Sequence, residues 1–143
     1  MEFTIIATPK PCQRARGSIL FTKKGKPFVN MYDTTPNKKY KKFLHPILHN
    51  LMFALPILDG PLAVSLTMYM PHPKTGKRRH FHQMTPDVDN LAKIILDAMN
   101  GIVYHDDKQI VCLTVKKRYC RVGDEPRTDV IVEESLDDYG FEE

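Results

Sequence analysis

The chain has few cysteines and no long hydrophobic segment. Its three cysteines, Cys12, Cys112 and Cys120, are odd in number and show no CxxC spacing, so the sequence indicates neither a disulfide framework nor a zinc site. The longest uncharged apolar run, residues 51–58, is far shorter than the roughly 20 residues of a membrane-spanning helix. Because no basic-then-apolar leader opens the chain, we expect a cytoplasmic protein. Cys112 lies in an apolar run, where we expect it to be a small buried residue.

Common catalytic signatures are also absent. The sequence contains no P-loop, GxSxG or HExxH motif. An EF-hand loop starting at Asp87 would need an oxygen ligand and then a glycine where the chain has Leu91 and Ala92. His80 and His82 have no evident third soft ligand, so nucleic-acid-facing or solvated histidines are favoured over a zinc site. Chemistry is therefore sought among the acidic residues.

Acidic residues are scarce at first and concentrated later. Residues 1–86 carry 14 Lys+Arg and three acids, whereas residues 87–107 hold five acids and one lysine. From Asp124 onward there are nine acids and one arginine. A basic surface is typical of a polyanion binder, although solvated lysines are common enough to leave both interpretations open. The 143-residue length suits one domain, which we expect at residues 1–133, followed by a flexible acidic tail at 134–143.

Hydrophobic periodicity predicts an α+β domain. The predicted strands are residues 3–8, 18–22, 27–31, 62–70, 110–119 and 129–133. Thr35-Pro36 and Thr85-Pro86 each supply an N-cap and a first-position proline, so each predicts a helix start. The apolar stripe of the first helix is predicted to comprise Tyr40, Phe43 or Leu44, Ile47 and Leu51, with a kink or break at Pro46. The second helix, which ends at Asn100-Gly101, has the stripe Leu91, Ile94, Ile95, Ala98 and Met99.

Candidate phosphate-binding cations lie on predicted loops or in the first turns of the first helix. They are Arg14, Arg16, Lys38, Lys39, Lys77, Arg78 and Arg79. The predicted loop at residues 71–84 is long for a compact domain, and loops of that length are more often functional than not. The lysines of the first helix are either a solvated face or a phosphate-facing patch.

The acidic cluster in residues 87–107 suggests a metal site. Asp87 and Asp89 lie at the start of the second helix, and Asp106 and Asp107 lie at the entrance of the next strand. If these elements pack as neighbours, the carboxylates converge, and their repulsion is offset by a hard divalent cation. Such a cation polarises a phosphodiester and lowers the pKa of a bound water. Lys93, one turn beyond Asp89, is placed to orient a carboxylate or neutralise charge on the phosphate.

Each of these acids also has a purely structural interpretation. Asp87 is a good helix cap, and Asp89 with Lys93 has the spacing of an ordinary ion pair on a helix. Asp106 and Asp107 are typical turn residues. The basic surroundings favour the functional interpretation, because they supply what a phosphate substrate needs.

Residues 85–110 resemble the RusA family of Holliday-junction resolvases. The family's Asp-x-Asp-Asn-Leu-x-Lys pattern is matched at residues 87–93, and its Asp-Ala-(Leu/Met)-Asn-Gly pattern at 97–101. Its aromatic-x-Asp-Asp-x-Gln-(Ile/Val) pattern is matched at 104–110. Two looser similarities lie outside these residues. The loop around Arg14 and Arg16 is similar to the basic loop that follows the family's first strand. Thr35-Pro36 with Tyr40 is similar to the family's helix entry.

The resemblance implies an α+β homodimer with a small mixed β-sheet and two main helices packed on it. It implies an endodeoxyribonuclease that uses Mg²⁺, or Mn²⁺ in its place, to resolve four-way DNA junctions by paired symmetric nicks in recombination and repair. Asp87, Asp89 and Asp107 would then be metal-binding catalytic carboxylates, and Lys93 the catalytic lysine. Asp106 and His105 receive no definite role. A non-catalytic nucleic-acid-binding module with the same fold is the alternative, and a hydrolase of small phosphate esters is a third.

Overall fold

Two helices and six strands make up the part of the chain that the computed structural model describes, residues 1–73 and 82–135. In chain order they are β1 (Glu2–Ile5), β2 (Arg16–Phe21), β3 (Pro27–Tyr32), α1 (Thr35–Leu51), β4 (Leu62–Met70), α2 (Val88–Met99), β5 (Ile110–Tyr119) and β6 (Arg127–Glu134). A short 3-10 turn, Asp107–Gln109, leads into β5. Most of the predicted acidic tail, from residue 136 on, lies outside the described residues.

Four strands form a mixed sheet in the order β1-β6-β4-β5. β4 runs parallel to β5 and antiparallel to β6, and β1 pairs antiparallel with β6. Along β4, alternate residues from Leu62 to Met70 are buried, as the period-two pattern predicts. The predicted α+β class and mixed sheet are confirmed. Since β4 and β5 are parallel neighbours, the chain must cross over between them, and α2 lies in that connection.

Both helices bury their apolar stripes in one core with the sheet. The predicted stripe of α2 is buried throughout, together with Ala92. In α1 the buried hydrophobic residues are Tyr40, Leu44 and Leu48, whereas Phe43 is 54% exposed. Burying one such leucine stabilises the fold by about 1.5–3 kcal/mol. Of the kink or break predicted at Pro46, the break does not occur, since α1 continues through that residue to Leu51.

The start of α2 differs from the prediction. Asp87, in extended conformation, is the N-cap residue, and the Thr85–Pro86 peptide bond is cis. The Nζ of Lys117, on β5, donates hydrogen bonds to the carbonyl oxygens of Met84 and Pro86 at 2.7 and 2.8 Å. These contacts hold the Thr-Pro pair outside the helix, which therefore begins two residues later than predicted.

Several smaller predictions are corrected by the position of the strands. Cys112 is exposed rather than buried, because it lies on β5, at the edge of the sheet. β1 is shorter than predicted, and β6 extends beyond the predicted 129–133 to pair Glu134 with Leu62. Arg16 is the first residue of β2, where it pairs with Tyr32, and is not part of the preceding loop.

β2 and β3 form a separate two-stranded hairpin, as predicted. It carries a set of exposed apolar side chains: Ile19, Leu20, Phe21, Phe28, Val29, Met31 and Tyr32. An isolated hairpin is only marginally stable in water. In the described part of the chain, no helix is long and apolar enough to cross a membrane.

Candidate active site

A cavity of about 330 Å³ opens between α2 and the edge strand β5. Its polar lining consists of Asp89, Lys93, Asp97 and Asp107, and its apolar lining of Val88, Ala92, Leu96, Leu113 and Val115. Leu113 and Val115 pair in register with Val64 and Leu66, which are buried in the core. Because no strand within residues 1–73 and 82–135 pairs with the outer side of β5, the cavity is open to solvent at this edge of the sheet.

The polar face of α2 supplies three of the four charged groups. Asp89, Lys93 and Asp97 follow one another at four-residue spacing, so they share one side of the helix. The Nζ of Lys93 lies 3.6 Å from Oδ2 of Asp97. Lys93 therefore forms its ion pair with Asp97. The structural interpretation pairs Lys93 with Asp89 instead. Asp97 is a site residue that the sequence prediction missed, although its spacing from Asp89 and Lys93 indicates it.

The turn before β5 separates the roles of Asp106 and Asp107. Oδ1 of Asp106 accepts a hydrogen bond from the backbone N–H of Lys108 at 2.9 Å, and Oε1 of Gln109 accepts from the N–H of Asp106 at 3.0 Å. Together these bonds form a capping box. Asp106 therefore caps the turn, as its structural interpretation predicts, while the neighbouring Asp107 lines the cavity.

Two further contacts hold Asp107 close to α2. The Nε2 of Gln109 donates to the carbonyl oxygens of Leu58 and Gly60 at 3.2 and 3.1 Å, which fastens the turn to the segment before β4. The hydroxyl of Tyr104 donates to the carbonyl oxygen of Leu96 at 2.7 Å, which ties the segment after α2 back onto the helix. Asp107 is thus anchored on both sides.

The electrostatics of the cavity reflect crowded carboxylates. Burial raises the pKa of Asp107, and a hydrogen bond with Asp106 and the negative charge of Asp97 raise it further. The positive charge of Lys93 acts in the opposite direction. The backbone N–H of Lys108 lowers the pKa of Asp106, with a smaller contribution from its hydrogen bond with Asp107. Burial first, and the neighbouring carboxylates second, thus disfavour the ionised form of Asp107, and a nearby positive charge would favour it.

Asp87 occupies the N-cap position of α2 but makes no side-chain capping hydrogen bond. Its exposed carboxylate therefore does not cap the start of the helix, contrary to its structural interpretation. It does not belong to the cavity lining, which begins at the next residue, Val88. The structure brings Asp89, Lys93 and Asp107 to one cavity and does not place Asp87 in its lining.

The donor set fits a hard cation only in part. In residues 1–73 and 82–135, no group of three or more His, Cys, Asp or Glu side chains is arranged to bind a metal ion. Asp89 and Asp107 do face a common cavity. Mg²⁺ is usually bound through one or two carboxylates, with water and phosphate oxygens as its other ligands. The residues present therefore fit a two-carboxylate magnesium site rather than a complete protein cage.

The loop after β1 is fastened beside this site. The backbone N–H of Cys12 donates to the carbonyl oxygen of Asn90, on α2, at 2.8 Å. Asn37, buried on α1, exchanges hydrogen bonds with the backbone of Gln13 at 2.8 and 2.9 Å. Burial raises the pKa of the Cys12 thiol, and the charges of Lys93 and Asp97 also act on it. These contacts place the loop that carries Arg14 next to the polar face of α2.

The predicted DNA-binding cations are exposed where the structure describes them. Arg14, Arg16, Lys38 and Lys39 are all solvent-exposed. Lys77, Arg78 and Arg79, together with His80, lie outside the described residues.

Two further histidines can be placed. The ring of His82 contacts the ring of Tyr119, with centroids 4.8 Å apart and planes tilted by 51°. Burial, together with the positive charge of Lys117, lowers the pKa of His82. The backbone N–H of His105 donates to Oε1 of Gln109 at 2.9 Å.

Comparison with known families agrees with this geometry. The family model described as endodeoxyribonuclease RusA matches residues 7–133, which include the basic loop, both helices and every charged residue of the cavity. The chain belongs to the RusA family. This match confirms the family predicted from the sequence. Membership of the family implies endonuclease activity on Holliday junctions and binding to branched DNA.

A relative of this RusA protein occurs in Bacillus subtilis (strain 168). The uncharacterized protein YqaN is 32% identical over 145 residues, which cover 94% of this chain and 96% of YqaN. Within the RusA motifs of this chain, Leu91 and Ala98 are buried in the core, whereas Asp89, Lys93 and Asp97 line the cavity. The motif thus combines residues that hold α2 on the sheet with residues that line the cavity.

Proposed function

We propose that this RusA-family protein is a divalent-cation-dependent endonuclease that resolves four-way DNA junctions by paired symmetric nicks. The observation that carries the proposal is the convergence of Asp89, Lys93 and Asp107 on one open cavity beside α2. A phosphodiester is a large, charged, surface-borne group, so an open cavity at the edge of a sheet suits it better than an enclosed pocket.

Asp89 and Asp107 would hold Mg²⁺, with Mn²⁺ able to replace it, and Asp87 would add a carboxylate from the N-cap position of α2. The bound ion supplies Lewis acidity and a water of lowered pKa. Lys93 neutralises charge that develops on the phosphate during hydrolysis. Asp97, paired with Lys93 at 3.6 Å, positions that ammonium group. The apolar wall formed by Leu113 and Val115 restricts water on one side of the reacting phosphate.

Affinity for DNA would come from exposed cations around the site. Arg14 lies on the loop fastened to α2 through Cys12, Arg16 begins β2 directly after that loop, and Lys38 and Lys39 lie on α1. Lys77, Arg78 and Arg79 are proposed to act in the same way. Contacts of this kind release counterions from the phosphates, so junction binding should weaken steeply with salt.

Paired nicks require two active sites, and a homodimer supplies them with two-fold symmetry. The exposed apolar side chains of the β2–β3 hairpin support this assembly, because a surface of that kind is unusual on a monomer. A second copy covering the hairpin would also stabilise a two-stranded sheet that is marginal alone.

Cleavage of a synthetic four-way junction tests the proposal. Each of the four strands is labelled in turn and incubated with the protein and Mg²⁺, Mn²⁺ or EDTA. The expected products are nicks at symmetric positions in two strands of like polarity, formed only with the metal. Unpaired or random nicks, or none at all, would contradict the proposal.

The non-catalytic alternative has one observation in its favour, since no three carboxylates of the described residues form a metal-binding group. It predicts salt-sensitive junction binding with no cutting at any metal concentration. The same assay, combined with a binding measurement, separates the two functions.

A further inference from the structure

A second cleft, of about 660 Å³, lies where α1 begins and shares no lining residue with the cavity beside α2. Its walls come from the segment after β1, at Thr8 and Lys10, and from the first turns of α1. The cleft is within the size range of small-molecule and cofactor sites. No role proposed above for the catalytic cavity accounts for it.

One wall of the cleft is a pair of aromatic rings. The rings of Tyr40 and Phe43 are stacked, with centroids 6.2 Å apart and planes 19° from parallel. Tyr40 is buried, and its hydroxyl donates to the carbonyl oxygen of Thr8 at 2.8 Å, which fixes the ring. Phe43 is 54% exposed, because the neighbouring Leu44 fills the core position of that turn. Phe43 is therefore a rigidly backed aromatic surface that packing of the fold does not require.

The rim of the cleft is positively charged. The Nζ of Lys10 lies 5.7 Å from the centroid of the Tyr40 ring, and Lys39 also lines the cleft. Among the residues that the structure describes, no acid lines the cleft, and the first turn of α1 contains none. A flat apolar wall with a cationic rim suits a ligand that has a flat ring and a negative charge, which describes a nucleotide.

We propose that this cleft holds an unpaired nucleotide of the DNA substrate. The base stacks on Phe43, and Lys10 and Lys39 bind the adjoining phosphates. This inference deepens the proposed function and rests on DNA being the ligand of this chain. The occupant is a DNA strand rather than a free mononucleotide, because exposed Lys38 and Lys42 continue the positive surface of α1 beyond the cleft. A row of phosphates uses such a surface, whereas a single nucleotide does not.

The cleft is connected to the catalytic cavity through the chain itself. Lys10 on its rim is two residues from Cys12, whose N–H bonds to Asn90 at the start of α2. Asn37, on the first turn of α1, bonds to the backbone of Gln13. A DNA strand that leaves the cleft along residues 10–13 would therefore run towards the acidic residues of α2.

The test uses 2-aminopurine, a fluorescent base, at an unpaired position of a four-way junction and of a short single strand. Binding is measured in EDTA with the full chain, so that cutting plays no part. We expect the wild type to quench the fluorescence and Phe43→Ala to lose the quenching, with affinity for the single strand reduced about tenfold. Phe43→Trp should restore both. Lys39→Ala should weaken binding and flatten its salt dependence.

Phe53→Ala is the matched control, because Phe53 is 83% exposed just beyond the end of α1 and does not line the cleft. Its binding should equal that of the wild type. Circular dichroism of each variant verifies that the fold is kept. Unchanged quenching in Phe43→Ala, or equal losses in Phe43→Ala and Phe53→Ala, would overturn the inference. So would competition by a deoxymononucleotide as strong as that by the oligonucleotide.

The outcomes also separate this inference from the proposed function. If the wild type cuts junctions with metal but DNA binding does not depend on Phe43, the proposed nucleotide site in the cleft is contradicted and the endonuclease function is not. Quenching that depends on Phe43, in a protein that never cuts, would support the cleft and contradict the endonuclease.

Discussion

Lys93 is held by Asp97, whose Oδ2 lies 3.6 Å from the lysine Nζ on the face of α2 that carries Asp89. The lysine side chain is 64% exposed, so the pair contributes little to folding, about 0.5 kcal/mol or less. Its importance is in fixing where the ammonium group stands relative to the substrate. Function and stability should therefore respond differently when this pair is broken.

Asp97→Asn should slow junction cleavage about tenfold, a change of about 1.4 kcal/mol in the activation free energy. Junction affinity and the free energy of unfolding should stay nearly unchanged. Single-turnover cleavage, binding anisotropy and urea denaturation measure the three quantities. Glu125→Gln, which removes an exposed acid remote in sequence, is the control. A loss of stability matching the loss of rate would argue against a positioning role.

Lys117→Met removes the two hydrogen bonds that hold the carbonyl groups of Met84 and Pro86. Because hydrogen bonds from charged groups are worth about 1.5–3 kcal/mol, we expect lower stability by about that amount. Cleavage should fall as well, since Asp87 follows the released segment directly. Lys116→Met, a change at the preceding, exposed residue of β5, should leave both quantities close to the wild type. Equal effects of the two substitutions would contradict the role given to the Lys117 hydrogen bonds in holding the segment before α2.

Asp106 and Asp107 should differ sharply although they are adjacent. An asparagine at 106 still accepts the hydrogen bond from the N–H of Lys108, so Asp106→Asn should cut junctions within a few-fold of the wild-type rate. Asp107→Asn replaces the carboxylate that lines the cavity and should reduce the rate by a hundredfold or more, several kcal/mol. Rates measured side by side under identical Mg²⁺ decide the matter. Similar losses of rate for both variants would contradict the separate roles of Asp106 as a capping residue and Asp107 as a residue of the active site.

The Asp33–Lys41 pair predicts a pH-dependent contribution to stability. Hydrogen bonds from Lys41 and Asn37 lower the pKa of Asp33 below its ordinary value of 3.8. The stabilisation is therefore present above that value and is lost as the pH falls through the lowered pKa. Asp33→Asn should destabilise the protein by roughly 1 kcal/mol at pH 7, after allowing for the partial exposure of the pair. Denaturation at pH 7 and pH 3 should show the difference shrinking at the lower pH; a constant difference would contradict the account.

The sequence predicts the central elements well because their signals are local and redundant. Alternate residues of β4 are buried from Leu62 to Met70, and α2 ends at Met99, directly before the predicted Asn100-Gly101 stop, where the glycine adopts a positive φ of 74°. The beginning of α2 is missed because the contacts of Lys117, a residue about 30 positions away, decide it. Cys112 is missed because a strand's apolar pattern does not reveal whether the strand lies at the edge of the sheet.

The candidate site is predictable in its members more than in its geometry. The family resemblance proposes Asp89, Lys93 and Asp107 and leaves Asp106 without a definite role. The fold adds that Asp106 caps the turn while Asp107 lines the cavity. Asp97 has the right spacing on the helix, yet its partner becomes evident only when Lys93 turns towards it. The cleft at α1 depends on which of Phe43 and Leu44 is buried, an ambiguity that the helical stripe leaves open.

The most direct test of the account is the single-turnover rate of junction cleavage by Asp89→Asn at saturating protein and Mg²⁺. Saturation removes any effect on DNA binding, so the rate reports the chemical centre alone. We predict a rate at least about a hundredfold below that of the wild type, with junction affinity retained, while Asp59→Asn, a change at an exposed acid outside the cavity lining, cuts normally. Cleavage by Asp89→Asn at the wild-type rate would contradict the assignment of this cavity as the active site.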